Sequence, residues 1–163
     1  MLTYRSISVT DWPRILDIQR ESYSQSFVES LEALQSRWLA SPTTCLVAEG
    51  PTNILGYALA LPWKQGHAPA LDTPLDGGLS PELLYIHDLA VAKSARGSGA
   101  ASILVRALAS CAAEAGMTRM ALTSVQGSVP FWEHHGFAPT PLENSLAGYG
   151  ADAVYMTATI PRH

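Results

Sequence analysis

The stretch from Glu82 to Val125 constrains the fold of this 163-residue chain more than any other. Glu82 to Val91 is apolar with polar breaks and reads as a strand. Ile103, Leu104, Ala107, Leu108 and Cys111 form a helical stripe, and Gly116 is a natural stop. The spacing predicts a helix from Gly97 to about Ala115, followed by a strand over Met117–Val125. Strand, helix and strand in that order require a sheet with a helix laid on its face.

The turn between the first strand and the helix is Ala95-Arg96-Gly97-Ser98-Gly99-Ala100-Ala101. The first turn of a helix carries unpaired N–H groups and a partial positive charge. Glycines let such a backbone approach a ligand closely, so the turn is suited to a phosphate or pyrophosphate. Arg96 adds a charged donor. A Walker loop would need a Gly-Lys pair, which the chain lacks. A dinucleotide fingerprint would take Gly97, Gly99 and Ser102, with an acid at the end of the next strand; Met117–Val125 holds no acid. The pyrophosphate of coenzyme A is a third candidate.

Other elements fill out the sheet. Tyr4–Ser8, Thr44–Glu49, Ile54–Leu61 and Ala153–Ile160 read as strands. Gly50-Pro51-Thr52-Asn53 makes an antiparallel hairpin of the middle two. Thr10-Asp11 offers an N-cap to a first helix, with Pro13 in its opening turn and Ile15, Ile18 and Tyr23 on its buried stripe. A second helix spans Ser30–Leu39, and a short one Val129–His135. Trp12, Phe27 and Trp38 suit either core or a pocket wall. Pro62–Pro81 is too long for an ordinary connection; with Trp63, Lys64, His67, Asp72 and Asp76 it suits a lid or a plain surface insertion. With no internal repeat or linker, residues 1–163 read as a single domain of the α/β (α+β) class: one mixed, mostly antiparallel sheet flanked by helices.

The function classes narrow on charge and cysteine. A net charge of −4 and no Lys/Arg-rich run argue against nucleic acid as a partner. Cys45 and Cys111 have no metal spacing and read as reduced thiols. The adjacent His134 and His135 better suit a helix C-terminus than a metal site. No apolar run approaches a membrane span and Met1–Arg5 does not open a leader pattern, so a cytoplasmic location is expected.

Two motifs in order resemble the GNAT superfamily of acyl-CoA-dependent N-acetyltransferases: Leu89-Ala90-Val91 followed by Arg96-Gly97-Ser98-Gly99-Ala100-Ala101, and Phe131-Trp132-Glu133-His134-His135-Gly136-Phe137. The element order resembles that family's domain over nearly the whole chain. The resemblance implies a GNAT-like sheet splayed between the Glu82–Val91 and Met117–Val125 strands, and acetyl-CoA as co-substrate with no metal. Amides from Gly97 to Ser102 would hold the pyrophosphate with Arg96. The backbone of Leu89, Ala90 and Val91 would pair with pantetheine, Leu89 N–H would polarise the thioester carbonyl, and Trp132 would wall the site. The activity implied is acetyl transfer to a primary amine, preferably of a small molecule, by direct attack in a ternary complex; the alternative is a non-catalytic coenzyme-A sensor. A homodimer is allowed by the resemblance alone.

Catalysis needs a proton acceptor for the amine, and an imidazole exchanges protons near neutral pH. Strict alternation puts Tyr85, His87, Leu89 and Val91 on one face and Leu84, Ile86, Asp88 and Ala90 on the other. His87 is then the expected base and Tyr85 its relay, while Asp88 points away. Relatives carry a tyrosine where Trp132 stands, and an indole cannot titrate as an acid. Ser128 and Tyr149 are further candidates for that proton. The family's asparagine after the fifth strand is replaced here by Ser124, Val125 and Gln126.

Overall fold

A glycine-containing turn between two short apolar runs builds the centre of the sheet. In the computed structural model, which describes residues 2–143, 146 and 149–160, β2 (Cys45–Glu49) and β3 (Ile54–Trp63) form the expected antiparallel hairpin. Around it lie β1 (Thr3–Ser6), β4 (Leu83–Val91), β5 (Arg119–Ser124), β6 (Ala138–Pro139) and β7 (Val154–Thr159). The sheet runs β1-β2-β3-β4-β5-β7-β6. Only β4 and β5 are parallel; the other pairs are antiparallel. The two-residue β6 carries too little pattern to be read from the sequence.

Helices cover both faces. α1 (Trp12–Ser22) and α2 (Leu31–Ala40) pack one side, where Ile15, Ile18 and Leu34 meet Val47, Tyr57 and Leu59. α3 (Ala100–Glu114) and α4 (Val129–His134) pack the other, where Leu104, Leu108 and Trp132 meet Leu84, Ile86 and Leu122. Ser30 caps α2 by accepting the Ala33 N–H at 3.1 Å. Asp11 instead accepts the Ser8 N–H at 2.7 Å and pairs with Arg5. Trp12 and Trp38 meet ring to ring at 5.6 Å in the α1 core.

The strand β4 departs from simple alternation. Leu59 faces Asp88 and Ala60 faces Ile86, so His87 is an extra residue with no partner on β3. Such a bulge shifts the side-chain phase of the strand. Tyr85, Asp88 and Ala90 therefore share the face of Leu61, Leu59 and Tyr57, beneath α1 and α2. Leu84, Ile86, Leu89 and Val91 lie on the α3 side. The expected grouping of Tyr85 with Leu89, and the expectation that Asp88 points away, are both corrected by that one residue.

The segment after β3 also differs from a free lid. Arg37, buried in α2, donates to the carbonyls of Ala70 at 2.6 Å and Thr73 at 2.7 Å. Asp72 accepts the Ser30 N–H at 2.6 Å and gives its own N–H to Glu29 at 2.8 Å; Leu75 N–H bonds Ser36 Oγ at 2.8 Å. Residues 70–75 are thus bound along α2 and its cap.

Candidate functional site

β4 and β5 pair only where Leu84–Ile86 meets Met120–Leu122. Beyond Ile86 the strands part, and a cavity of about 660 Å³ fills the wedge. It runs from the Arg96–Ser102 turn, past Leu89, Ala90 and Val91, to Tyr23, Glu29 and Asp88.

The edge that β4 turns to this wedge can be assigned. Ala92 N–H bonds Leu55 on the β3 side at 2.8 Å. Successive residues of a strand direct their amides to opposite edges, so Leu89 and Val91 present N–H and C=O to the wedge. Their carbonyls receive hydroxyls from the C-terminal end of α1: Tyr23 Oη at 3.1 Å from Leu89 O, and Ser22 Oγ at 3.4 Å from Val91 O. Gln126 spans the gap from the other side, accepting the Ser24 N–H at 3.0 Å and donating to Ser22 O at 3.3 Å.

At the glycine turn, α3 begins at Ala100 rather than Gly97. Gly97 and Gly99 have φ of +82° and +92°, a backbone that L side chains rarely adopt. A Cβ at Gly97 would meet nothing within 4 Å, so the turn's conformation, not crowding, requires glycine there. Ala95 O takes the Ser98 N–H and Ser98 Oγ the Ala100 N–H. The amides of Ala101 and Ser102 stand in the first helical turn with no intrahelical acceptor. Arg96, Gly97, Gly99 and Ala100–Ser102 all border the cavity, as do His134, His135 and the buried Trp132. That end offers amides and basic side chains, the donor set a pyrophosphate needs.

The opposite end is acidic and buried. His87 Nε2 lies 2.9 and 3.2 Å from the two Glu29 carboxylate oxygens. Its side chain is 0% exposed and that of Glu29 5%. His87 therefore meets the cavity through its bulged main chain, and the expected direct aim of its imidazole at the thioester is corrected. Nδ1 has no partner among the described residues. Burial pushes the Glu29 carboxyl up, but the opposing charge and hydrogen bond of His87, the Asp72 N–H and the charge of Arg37 bring it below the ordinary value. Asp88 accepts one tyrosine hydroxyl on each oxygen: Tyr23 at 2.7 Å and Tyr57 at 2.7 Å. Burial and the nearby Glu29 charge raise its pKa to about 6, against the two hydrogen bonds.

Tyr85 is buried away from the cavity, its hydroxyl 2.7 Å from Thr123 Oγ1. Thr123 and Tyr149 do border the cavity, and Tyr149 donates to Pro69 O. Ser128 borders it too, its hydroxyl bonded to Val125 O at 2.8 Å. Phe27 borders the cavity as well. Glu29 and Tyr23 are the functional candidates that the sequence did not mark; Tyr23 reads there as core stripe, and nothing local distinguishes Glu29.

The comparisons agree with this geometry. A model described as the acetyltransferase (GNAT) family matches residues 12–137. Among solved structures, GphF, a GNAT-like decarboxylase in complex with isobutyryl-CoA, superposes with a TM-score of 0.80 at 15% identity, covering 98% of this chain and 100% of that one. The ribosomal-protein-S18-alanine N-acetyltransferase from Escherichia coli gives 0.73 at 15% identity over 100% and 96%. Ard1 from Thermoplasma volcanium gives 0.71 at 19% over 99% of both chains. These likenesses establish the fold. No curated protein sequence matches the chain.

Proposed function

Because the chain belongs to the GNAT acetyltransferase family, we propose that it transfers an acetyl group from acetyl-CoA to a primary amine of a small molecule. The attack is direct, within a ternary complex. The observation that carries this reading is one continuous cavity with donors at one end and carboxylates at the other. The Gly97–Ser102 turn and Arg96 take the pyrophosphate. The open edge of β4 takes the amides of pantetheine through Leu89 and Val91, as a strand takes a neighbour. Trp132, buried against Phe137 with rings 5.5 Å apart, backs the coenzyme as a wall.

The thioester then lies beside Leu89, whose N–H donates to the oxyanion of the tetrahedral intermediate. No cysteine borders the cavity, which favours direct attack over a thioester carried by the protein. Glu29 and Asp88 supply the negative potential that draws an amine to this end. Phe27, Leu71 and the bound segment 70–75 favour a compact acceptor over an extended one. The buried His87–Glu29 pair fixes the carboxylate at the acceptor end. Acetyl-CoA as donor and the protein working in the cytoplasm complete the reading.

The test is thiol release from acetyl-CoA in the presence of benzylamine, n-hexylamine and spermidine, with acetyl-CoA binding followed by thermal shift. Binding with amine-dependent thiol release is expected. Binding without release from any amine would favour a coenzyme-A sensor. No thermal shift at millimolar acetyl-CoA would sink both.

A further inference from the structure

We propose that Tyr23 and Asp88 form a proton shuttle that serves the transfer twice, accepting the amine's proton and returning it to the leaving thiolate. This rests on the acetyl-transfer reading above. Its geometric basis is the position of the Tyr23 hydroxyl. Tyr23 borders the cavity, and its hydroxyl lies 3.1 Å from the carbonyl of Leu89 and 2.7 Å from Asp88 Oδ1. It stands at the open edge of β4, beside the residue whose N–H faces the oxyanion. Asp88 is carried there by the bulge at His87, which turns it beneath the C-terminal end of α1.

The proton balance closes within these groups. The neutral amine nitrogen bonds to the thioester carbon, and the carbonyl π pair moves to oxygen, facing Leu89 N–H. The nitrogen's surplus proton passes to Tyr23 Oη as the tyrosine's own proton passes to Asp88 Oδ1. The carbonyl re-forms, the C–S bond breaks, and its electron pair leaves on sulfur. Asp88 returns its proton through Tyr23 to that sulfur. The products are an amide and a thiol, and the protein ends as it began. Trp132, which cannot titrate, is then not needed as an acid.

The surroundings suit a carboxylate that must take and release a proton. Four groups face Asp88: Tyr23 at the end of α1, Glu29 from the α1–α2 connection, Tyr57 from β3 and His87 from β4 itself. Burial and Glu29 make the carboxylate readier to accept a proton; the two hydroxyls and His87 oppose this, leaving it near neutrality at about 6. Such matching favours general acid–base catalysis. Tyr57 holds the second oxygen at 2.7 Å and fixes the carboxylate without touching the cavity. It is a positioning residue.

The experiment measures kcat, KM for acetyl-CoA and the pH profile of Tyr23→Phe and Asp88→Asn with the most reactive amine of the panel. Tyr23→Phe should lower kcat about 100-fold or more, the usual scale of acid–base catalysis, with acetyl-CoA affinity within about twofold of wild type. Asp88→Asn should do the same with no loss of thermal stability. Wild type should show an acidic limb near pH 6, and the residual activity of Asp88→Asn should lack it. A Tyr23→Phe protein keeping a third of wild-type kcat would overturn the shuttle. So would an acidic limb unchanged in Asp88→Asn. If His87→Gln alone abolishes turnover at intact coenzyme affinity, the proton goes to the imidazole instead. A wild type that binds acetyl-CoA but acetylates nothing refutes the transfer reading and the shuttle together.

Discussion

Replacing Glu29 with alanine should destabilise the protein by about 2–6 kcal/mol, because it leaves two hydrogen-bond donors without their acceptor. The carboxylate serves two donors: His87 Nε2 at 2.9 Å and the Asp72 N–H at 2.8 Å. Its own side chain is 5% exposed and that of His87 0%, so solvent cannot replace what is lost. Each orphaned donor costs about 1–3 kcal/mol. Urea unfolding at pH 7.5 is the assay. With a urea m-value of about 2 kcal/mol per molar, the midpoint should fall by about 2 M at unchanged slope. The pH dependence gives an independent check. The folded-state pKa of Glu29 lies below its ordinary value, so its contribution is present above the unfolded pKa and is lost as pH falls through the folded one. The difference between wild type and Glu29→Ala should therefore narrow in acid. A midpoint shift under about 0.5 M, less than one such hydrogen bond is worth, would show that the pair is hydrated and the argument wrong.

Asp88 behaves with the opposite sign. Its folded pKa is raised from 3.8 to about 6, so its contribution to stability is full below the unfolded value and lost as pH rises through about 6. Asp88→Asn should gain Tm relative to wild type between pH 4 and 7.5, read by scanning calorimetry; a constant difference would refute the buried carboxylate. Gly97→Ala should cost about 1 kcal/mol for its left-handed backbone and weaken acetyl-CoA binding in titration calorimetry. An unchanged Kd would show that the turn does not hold the coenzyme. Arg37→Met should free the carbonyls of Ala70 and Thr73 and speed hydrogen exchange at the amides of Asp72 and Leu75, which α2 now protects. Unaltered exchange would mean that the segment holds itself.

The sequence displays the parts of this protein that rest on short-range physics. The helical stripe of α3, the Gly50–Asn53 turn and the positive-φ glycines at 97 and 99 each encode structure within a few residues, and the glycine-turn end of the cavity is legible through them. The acidic end is not. Glu29 lies 58 residues from His87 in sequence, and no local pattern announces a pair closed by folding. Asp88 was misassigned because period-2 reasoning assumes an uninterrupted pleat, whereas His87 occupies β4 with no partner on β3. Tyr23 follows the last helical residue of α1 with an extended backbone, φ −119° and ψ 146°. As a continuation of the helical stripe it reads as ordinary core. The role of residues 62–81 was equally hidden, since Arg37 binds them through main-chain carbonyls, which leave no trace in side-chain identity.

The unpaired residue at position 87 makes β4 a strand of two parities. Up to Ile86, even-numbered residues belong to the α3 layer; from Asp88 onward, odd-numbered ones do. Excising His87 would therefore change more than one imidazole. It would bring both halves of the strand into a single rhythm, with Leu84, Ile86, Leu89 and Val91 all falling on the α3 face of one regular pleat. Asp88 and Ala90 would keep the opposite face and the pairing with β3 its register, while the bend and extra twist of the bulge would be lost. Length at this point of the chain is thus as much a coded property as composition. Replacing His87 by another residue keeps the bulge and its change of parity, whereas deleting it removes both, whatever amino acid stood there.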